Sequence, residues 1–302
     1  MIYTVTFNPA IDYVIGLNQF NIGEVNRASK EQIFFGGKGI NVSTILNTLG
    51  LETTALGFVA GFTGRAIEDG LAAQGIHTDF IHLPEGNSRI NVKVKHGDET
   101  EINGQGPVIT EEALEELFAK LDTLTKEDIL VLAGSIPNTL PEDIYEKILA
   151  RLEAKGIRVV VDATKDLLLN VLKYHPFLIK PNNHELGEMF GTVCKTDEDI
   201  VHYAKKLQEK GAVNVLISMA GDGAILITED GQNIKMGTPK GKVVNSVGAG
   251  DSMVAGFVAG YLRGGSYEEA LKSGTAAGSA TAFSEGLASL EMYEKMLKQI
   301  SE

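Results

Sequence analysis

Short runs of aliphatic residues punctuate the middle of the chain: Ile129 to Ala133, Ile157 to Val161, Phe177 to Ile179, Val215 to Ile217 and Ala224 to Ile227. Runs of this length without alternation predict strands buried on both faces. Between most of them lie segments of helical spacing, Glu111 to Leu121, Pro141 to Lys155 and Asp197 to Lys210. Pro141 is placed where a first helical turn tolerates proline, and Gly156 and Gly211 are placed as C-terminal stops. Strand alternating with helix implies a mainly parallel sheet covered on both sides, in the α/β class. No repeat or linker interrupts the pattern, which predicts one principal domain over residues 1–302.

Two segments follow a different rhythm. Ile11, Tyr13, Ile15 and Leu17 alternate with Asp12, Val14 and Gly16, and in Arg89 to Lys95 the residues Arg89, Asn91, Lys93 and Lys95 share one face. Period-two alternation marks strands with one wet and one apolar side. They predict a small sheet apart from the main one, whose apolar side needs cover from the main domain or a second subunit. The solvated face is the expected place of Lys93 and Lys95.

Composition narrows the partners. Apolar residues make up 43% of the 302 positions and charged residues 22%, as in a soluble enzyme. A net charge of −13 argues against nucleic acid and acidic membrane surfaces. The opening Met1 to Asn8 is too short and polar-flanked for a signal peptide, and no later run has the length to span a bilayer. The single cysteine, Cys194, excludes an internal disulfide, suits a reducing cytoplasm and has no His or Cys neighbour to make it reactive. The 34 glycines fall in short groups between apolar segments, where loops turn sharply or approach ligands.

Those groups carry the candidate chemistry. In Asn245-Ser246-Val247-Gly248-Ala249-Gly250-Asp251-Ser252 a helix follows at once, with Met253, Val254, Phe257, Val258, Tyr261 and Leu262 on one stripe. Gly256 and Gly260, four apart, allow another element to approach closely. Bare N–H groups of Gly248, Ala249 and Gly250 at a helix N-terminus make an anion site. Asp251 beside that anion can take a proton from a nucleophile aligned on a phosphate. A glycine-rich turn with Asp251 as an ordinary first-turn residue is the competing reading.

Phe35-Gly36-Gly37-Lys38-Gly39-Ile40-Asn41 also leads into a helix, with Val42, Ile45, Leu46 and Leu49 on its stripe and Gly50 as its stop. It lacks the order of a P-loop, and no dinucleotide fingerprint follows the first strand. Lys180-Pro181-Asn182-Asn183-His184-Glu185 stands at a strand end, where open α/β sheets bind ligands. Asn182 and Glu185 can orient water around Mg²⁺, or simply cap a helix; His184 is a surface or structural histidine. Ser218-Met219-Ala220-Gly221-Asp222-Gly223 reads as a hairpin turn or as a loop facing a nucleotide.

Taken together, in order and spacing, these segments resemble the ribokinase-like family of carbohydrate kinases that includes the B-type phosphofructokinases. The resemblance covers essentially the whole chain. It implies a three-layer α/β/α core with a small β-sheet lid formed by about 11–35 and 88–104. It implies Asp251 as catalytic base, Gly248, Ala249, Gly250 and Asp251 as the anion hole, and Asn182 with Glu185 as a water-mediated Mg²⁺ site. It also implies ATP as cosubstrate, bound by Lys180, Asn182, Gly250, Asp251 and the stretch Ser218, Met219, Ala220, Gly221, Asp222 and Gly223. A sugar would meet Asp12, Gly36, Gly37, Lys38, Asn41 and Ser135. Within the family, Thr4 to Asp12, Ser88 to Asn91 and Glu99 to Pro107 are similar to kinases of phosphorylated ketohexoses, the bacterial 1-phosphofructokinases most of all. That likeness gives Arg89, with Lys38 and Arg27, the phosphate already on the sugar. Kinases of tagatose 6-phosphate or fructose 6-phosphate, and a non-catalytic sugar-phosphate or nucleotide sensor, are the alternatives. A homodimer pairing through the lids is the expected assembly. Phe283-Ser284 falls near the implied adenine end.

Overall fold

The computed structural model of the chain describes residues 1–301. The strands, in chain order, are β1 (Ile2–Thr6), β2 (Ala10–Gly16), β3 (Lys30–Gly36), β4 (Thr53–Ala60), β5 (His77–Thr78), β6 (Ile81–Leu83), β7 (Arg89–His96) and β8 (Asp98–Asn103), followed by β9 (Ile129–Ala133), β10 (Arg158–Asp162), β11 (Leu178–Ile179), β12 (Asn214–Ser218), β13 (Ala224–Ile227) and β14 (Asn233–Met236). The α-helices are α1 (Lys38–Thr48), α2 (Gly61–Ala73), α3 (Glu111–Leu121), α4 (Ile144–Leu152), α5 (Lys165–Val171), α6 (Asn183–Met189), α7 (Asp197–Glu209), α8 (Ala249–Gly264), α9 (Tyr267–Ala282) and α10 (Leu290–Ser301).

The large sheet runs β14-β13-β12-β11-β10-β9-β1-β4-β5, with β6 paired to β4. It is parallel from β12 to β5, and β13 and β14 add an antiparallel edge. β9 is buried throughout, and β10 and β12 are buried at all but one end residue, as their unbroken Val, Ile and Leu runs require. One apolar layer joins α3, α4 and α7 to Leu130, Leu132, Val161 and Ile217 on one sheet face. A second joins α1, α8, α9 and α10 to Ile129, Val131, Val160 and Leu216 on the other. These are the three layers implied by the resemblance. No helix among the described residues is long and apolar enough to cross a membrane.

Two helical expectations change. The helix placed over Pro141 to Lys155 begins at Ile144, because Pro141 to Asp143 form a turn closed by Ile144 N–H donating to Pro141 O at 3.1 Å. It ends in a 3₁₀ turn at Glu153–Lys155, with Gly156 left-handed as expected. Nor does α8 present a single apolar stripe: residues 251–260 are buried all round. A side chain on Gly256 would meet Ser273 O at 2.5 Å, and one on Gly260 would meet Glu269 O at 2.6 Å, so α9 lies directly on those glycines.

The second sheet has the order β3-β2-β7-β8 and projects from the C-terminal edge of the first. Its pairings align Asp12, Asn91 and Phe34 in one row, then Val14, Lys93 and Gln32, then Gly16, Lys95 and Lys30. The opposite face carries Ile11, Tyr13, Ile33, Ile90 and Val92 by the period of two. Near the core, Ile11 and Phe35 pack on Val59, Ile67 and Leu71, and the Phe35 ring occupies the space above Gly70. Farther out Ile33, Ile90 and Ile102 are 58%, 41% and 63% exposed, although Val94 on the same face is buried.

Candidate active site

The parallel strands bring their C-terminal ends to one edge: Asn8 follows β1, Gly134 follows β9, Asp162 ends β10 and Lys180 follows β11. Ligands of open α/β sheets sit at such edges. Two helix N-termini close on the same place. At the first, Gly37 adopts φ 130°, and a Cβ there would lie 2.4 Å from Thr6 Cγ2, so only glycine lets α1 start against β1. Thr6 Oγ1 accepts the Ile40 N–H at 3.0 Å and fixes that start. At the second, Gly248 is left-handed at φ 79° and turns the chain into α8.

Asp251 lies in the first turn of α8, 5% exposed, and accepts a hydrogen bond from Asn41 Nδ2 at 2.8 Å. The two glycine motifs, 210 residues apart, therefore meet at one carboxylate. Burial pushes the Asp251 carboxyl up to about 7, and nearby Asp162 adds to the rise, while Asn41, Lys38 and Lys180 oppose it. The amide of Ala249 donates to Ser246 O at 3.2 Å. The expected anion hole thus loses that donor, because the turn needs it to close. Among the described residues, the amides of Gly248, Gly250 and Asp251 have no acceptor. A Cβ on Gly250 would stand 3.1 Å from Lys180 Nζ, so the ammonium lies against Gly250.

Asp162 is a site residue that no motif in the sequence marks. Its carboxylate is 3% exposed and takes Lys180 Nζ at 3.4 Å on one oxygen and Lys38 Nζ at 3.6 Å on the other. The available signal was an acid closing the apolar run Val159-Val160-Val161 at a strand's C-terminal end. Burial works against the Lys38 charge, but Asp162, Asp251 and Glu185 outweigh it and hold the ammonium above its ordinary value. Lys38 consequently faces the Asp251 side of the cleft and not Arg89, which corrects its expected partnership with Arg89. Lys38 opens α1, which packs on β1, β4 and β9, and its side chain reaches from there to Asp162 at the end of β10.

Asn182 and Glu185 form a reciprocal cap of α6: Glu185 N–H donates to Asn182 Oδ1 at 2.8 Å, and Asn182 N–H donates to Glu185 Oε2 at 2.9 Å. The helix-cap reading of this pair is therefore realised, and Glu185 Oε1 is left over. Ser218 bridges to Asn182, which sets the loop Ser218, Met219, Ala220, Gly221, Asp222 and Gly223 beside it. That loop is a hairpin connection between antiparallel β12 and β13, with Ala220 held at φ 48°, an uncommon angle for a residue with a side chain. Thr238 Oγ1 donates to Gly221 O at 2.8 Å, and the Phe283 ring lies against Gly241.

The lid supplies the opposite wall. Asp12 Oδ1 accepts from Asn91 Nδ2 at 2.8 Å, and Asn91 Oδ1 is buried with no partner among the described residues. Arg89 Nε donates to Asn8 O at 3.0 Å, so a partly buried guanidinium stands at the hinge. Burial lowers its pKa, with Asp12 opposing. Lys93 is 12% exposed and pairs with Glu101 at 3.4 Å, because the polar face of β7 turns inward; the solvated face expected for it holds only for half-exposed Lys95. Ser135, just past β9, is exposed and does not line the cavity between lid and core. Arg27 is not brought to the cluster: the last β2–β3 pair is Gly16 with Lys30, and the loop carrying Arg27 projects beyond it, exposed. Asp12, Gly36, Asn41, Lys93 and Asn245 are among the residues lining a cavity of about 550 Å³ between lid and core. His184 is exposed and Cys194 is a buried free thiol, bystanders both.

Such a cleft can desolvate a hydroxyl, accept its proton at Asp251 and hold a transferring anion on bare amides and lysines. The model of the pfkB family carbohydrate kinases matches residues 5–292. A curated 1-phosphofructokinase of Bacillus subtilis is 49% identical over 300 residues, covering 99% of this chain and 98% of that one. A D-tagatose-1-phosphate kinase of Bacillus licheniformis is 40% identical over 301 residues, covering 99% and 98%. Among solved structures, phosphofructokinase-2 from Escherichia coli in complex with substrates and products superposes with a TM-score of 0.93 at 26% identity, covering 100% and 99%.

Proposed function

The chain belongs to the pfkB family of carbohydrate kinases, and from that premise we propose that it transfers the γ-phosphoryl group of ATP to the 6-hydroxyl of fructose 1-phosphate. The products are fructose 1,6-bisphosphate and ADP. The observation that carries the chemistry is the buried Asp251 in the first turn of α8, held by Asn41 at 2.8 Å.

In this reading Asp251 takes the hydroxyl proton as the oxygen attacks the γ-phosphorus and the bond to the ADP oxygen breaks. Asn41 aims the carboxylate. The amides of Gly248 and Gly250, with Lys180 in front, hold the charge of the transferring group, and Lys38 adds to it from α1. Asp12, fixed by Asn91, orients the sugar hydroxyls together with Gly36 and Gly37. Arg89 grips the phosphate already on the sugar, a task for which a guanidinium offers paired donors. The loop from Ser218 to Gly223 lines the nucleotide, with Phe283 toward the base.

A divalent cation is the usual companion of this reaction. Glu185 Oε1 and the Asp162 carboxylate are hard oxygen donors suited to Mg²⁺ that keeps most of its waters, so Asn182 and Glu185 would hold it through water. When bound, it neutralises charge on the nucleotide phosphates.

The exposed Ile33, Ile90 and Ile102 on the lid's outer face support a homodimer that pairs lid on lid. A kinase drawing on ATP and a phosphosugar works in the cytoplasm, where both are made. The D-tagatose-1-phosphate kinase relative favours a second substrate, the C4 epimer with its phosphate at the same carbon. A kinase assay over fructose 1-phosphate, tagatose 1-phosphate, fructose 6-phosphate and tagatose 6-phosphate tests the assignment. Fructose 1-phosphate is expected to give the highest kcat/KM under matched MgATP; a higher value for any other member of the panel refutes the named substrate.

A further inference from the structure

The lid and the core touch in two ways. On the hinge side the contact is apolar, Phe35 over Gly70. At the far side of the cleft a single ion pair crosses from lid to core among the described residues: Lys30 Nζ on β3 lies 3.1 Å from Glu285 Oε2, on the loop after α9. The other lysines of the lid's inner face pair within the lid itself, Lys93 with Glu101 and Lys95 with Glu99.

The surroundings of Glu285 single it out. Its carboxyl is held below its ordinary value first by Lys30, with Lys95 and Gln32 also contributing, so three residues of the lid's outer rows face it. One residue on, the Phe34 ring of the lid comes so near Gly286 that a Cβ there would lie 3.3 Å from Phe34 Cε1. The loop is tied inward as well. Asn245 Nδ2 donates to Glu285 O at 3.0 Å, and Asn245 Oδ1 accepts the Val247 N–H at 3.0 Å, immediately before the turn at Gly248. A lid contact at Glu285 therefore bears on the segment that leads to the anion hole and Asp251.

We infer that Glu285 is a positioning residue of the kinase reaction, a latch that pairs with Lys30 to hold the lid down over the bound phosphosugar. The inference rests on the kinase reading for its effect on turnover, but the latch itself is a property of the ligand-free protein. Lys30 and Glu285 have side chains 57% and 69% exposed, so exchanging their charges leaves the core untouched. A pair this exposed shifts an open–closed balance by roughly 1.5- to 5-fold, a modest bias suited to a lid that must reopen for product.

The test is a charge-swap cycle, Lys30→Glu, Glu285→Lys and the double exchange, in the full chain. Hydrogen exchange of the β2 and β3 amides is read without ligand. Each single reversal is expected to speed it roughly 2- to 5-fold, and the double exchange is expected to return it toward wild type. In turnover, the single variants are expected to raise KM for the phosphosugar by a similar factor with kcat nearly unchanged, again restored in the double. Unchanged exchange in both single variants overturns the latch, as does a double variant no slower than the singles. A fall in kcat at constant KM overturns the positioning role. If the wild type phosphorylates no sugar of the panel, the proposed function fails while the exchange arm still decides the latch.

Discussion

The corner around Asp251 and the lid face each other across one cleft, yet they are built in opposite ways. The corner is held from behind by α8, buried all round from 251 to 260, and by α9 lying on Gly256 and Gly260. Its few polar groups are committed to each other at short range, Asn41 to Asp251 and two lysines to Asp162. The lid buries little, leaves Ile33, Ile90 and Ile102 uncovered outside, and carries its polar residues inside. The difference teaches a division of labour. In the proposed reading, groups that must be in place when charge develops sit on helix starts packed from behind, and groups that enclose the substrate sit on a sheet with little packed against its outer face.

The sharpest break in that comparison is Asp251→Asn, which keeps the shape and removes the base. Turnover is expected to fall by ~10²–10⁴, while the thermal midpoint and ATP affinity stay near wild type. A steady-state assay beside a nucleotide titration checks both halves. Arg89→Ala tests the lid's side of the division. Loss of a charge-assisted hydrogen bond costs ~1.5–3 kcal/mol, so kcat/KM for the phosphosugar is expected to drop roughly 10- to 150-fold, chiefly through KM. Discrimination against free fructose is expected to weaken in the same variant. Equal losses in kcat and kcat/KM would move Arg89 to the chemical side of the cleft. The smallest effect on chemistry belongs to Val92→Asp, on the lid's outer face. Light scattering is expected to show a dimeric wild type at micromolar concentration and a shift of this variant toward monomer. A monomeric wild type would remove the lid pairing altogether.

These two regions also differed in how far the sequence revealed them. The core strands were legible because a strand buried on both faces leaves an unbroken aliphatic run, as in Ile129 to Ala133. The glycine turns were legible because close backbone approach admits no other residue, as at Gly37 against Thr6. Asp162 was not, since a single acid at a strand end looks like any strand terminus until Lys38 and Lys180 converge on it from elsewhere in the chain. The lid's period of two identified its faces but not which one points inward. That orientation depends on the hinge at Asn8 and Arg89, so the pattern alone puts Lys93 in solvent although it lines the cleft. Arg27 failed for a related reason. Its place depends on how far β2 and β3 extend before the loop, which no local pattern encodes.

The claim that a buried base in a rigid corner performs the chemistry is tested most directly by the pH dependence of kcat/KM, which reports ionisations of free enzyme and free substrate. Asp251 must be ionised to accept a proton, so activity is lost as pH falls through its raised pKa of about 7. The phosphosugar titrates on its own near about 6 and contributes a limb that any variant retains. The account predicts a wild-type profile falling below about pH 7, and an Asp251→Asn profile, low throughout, from which that component has vanished. A variant that keeps the wild-type limb would show that some other group takes the proton, and would contradict the account.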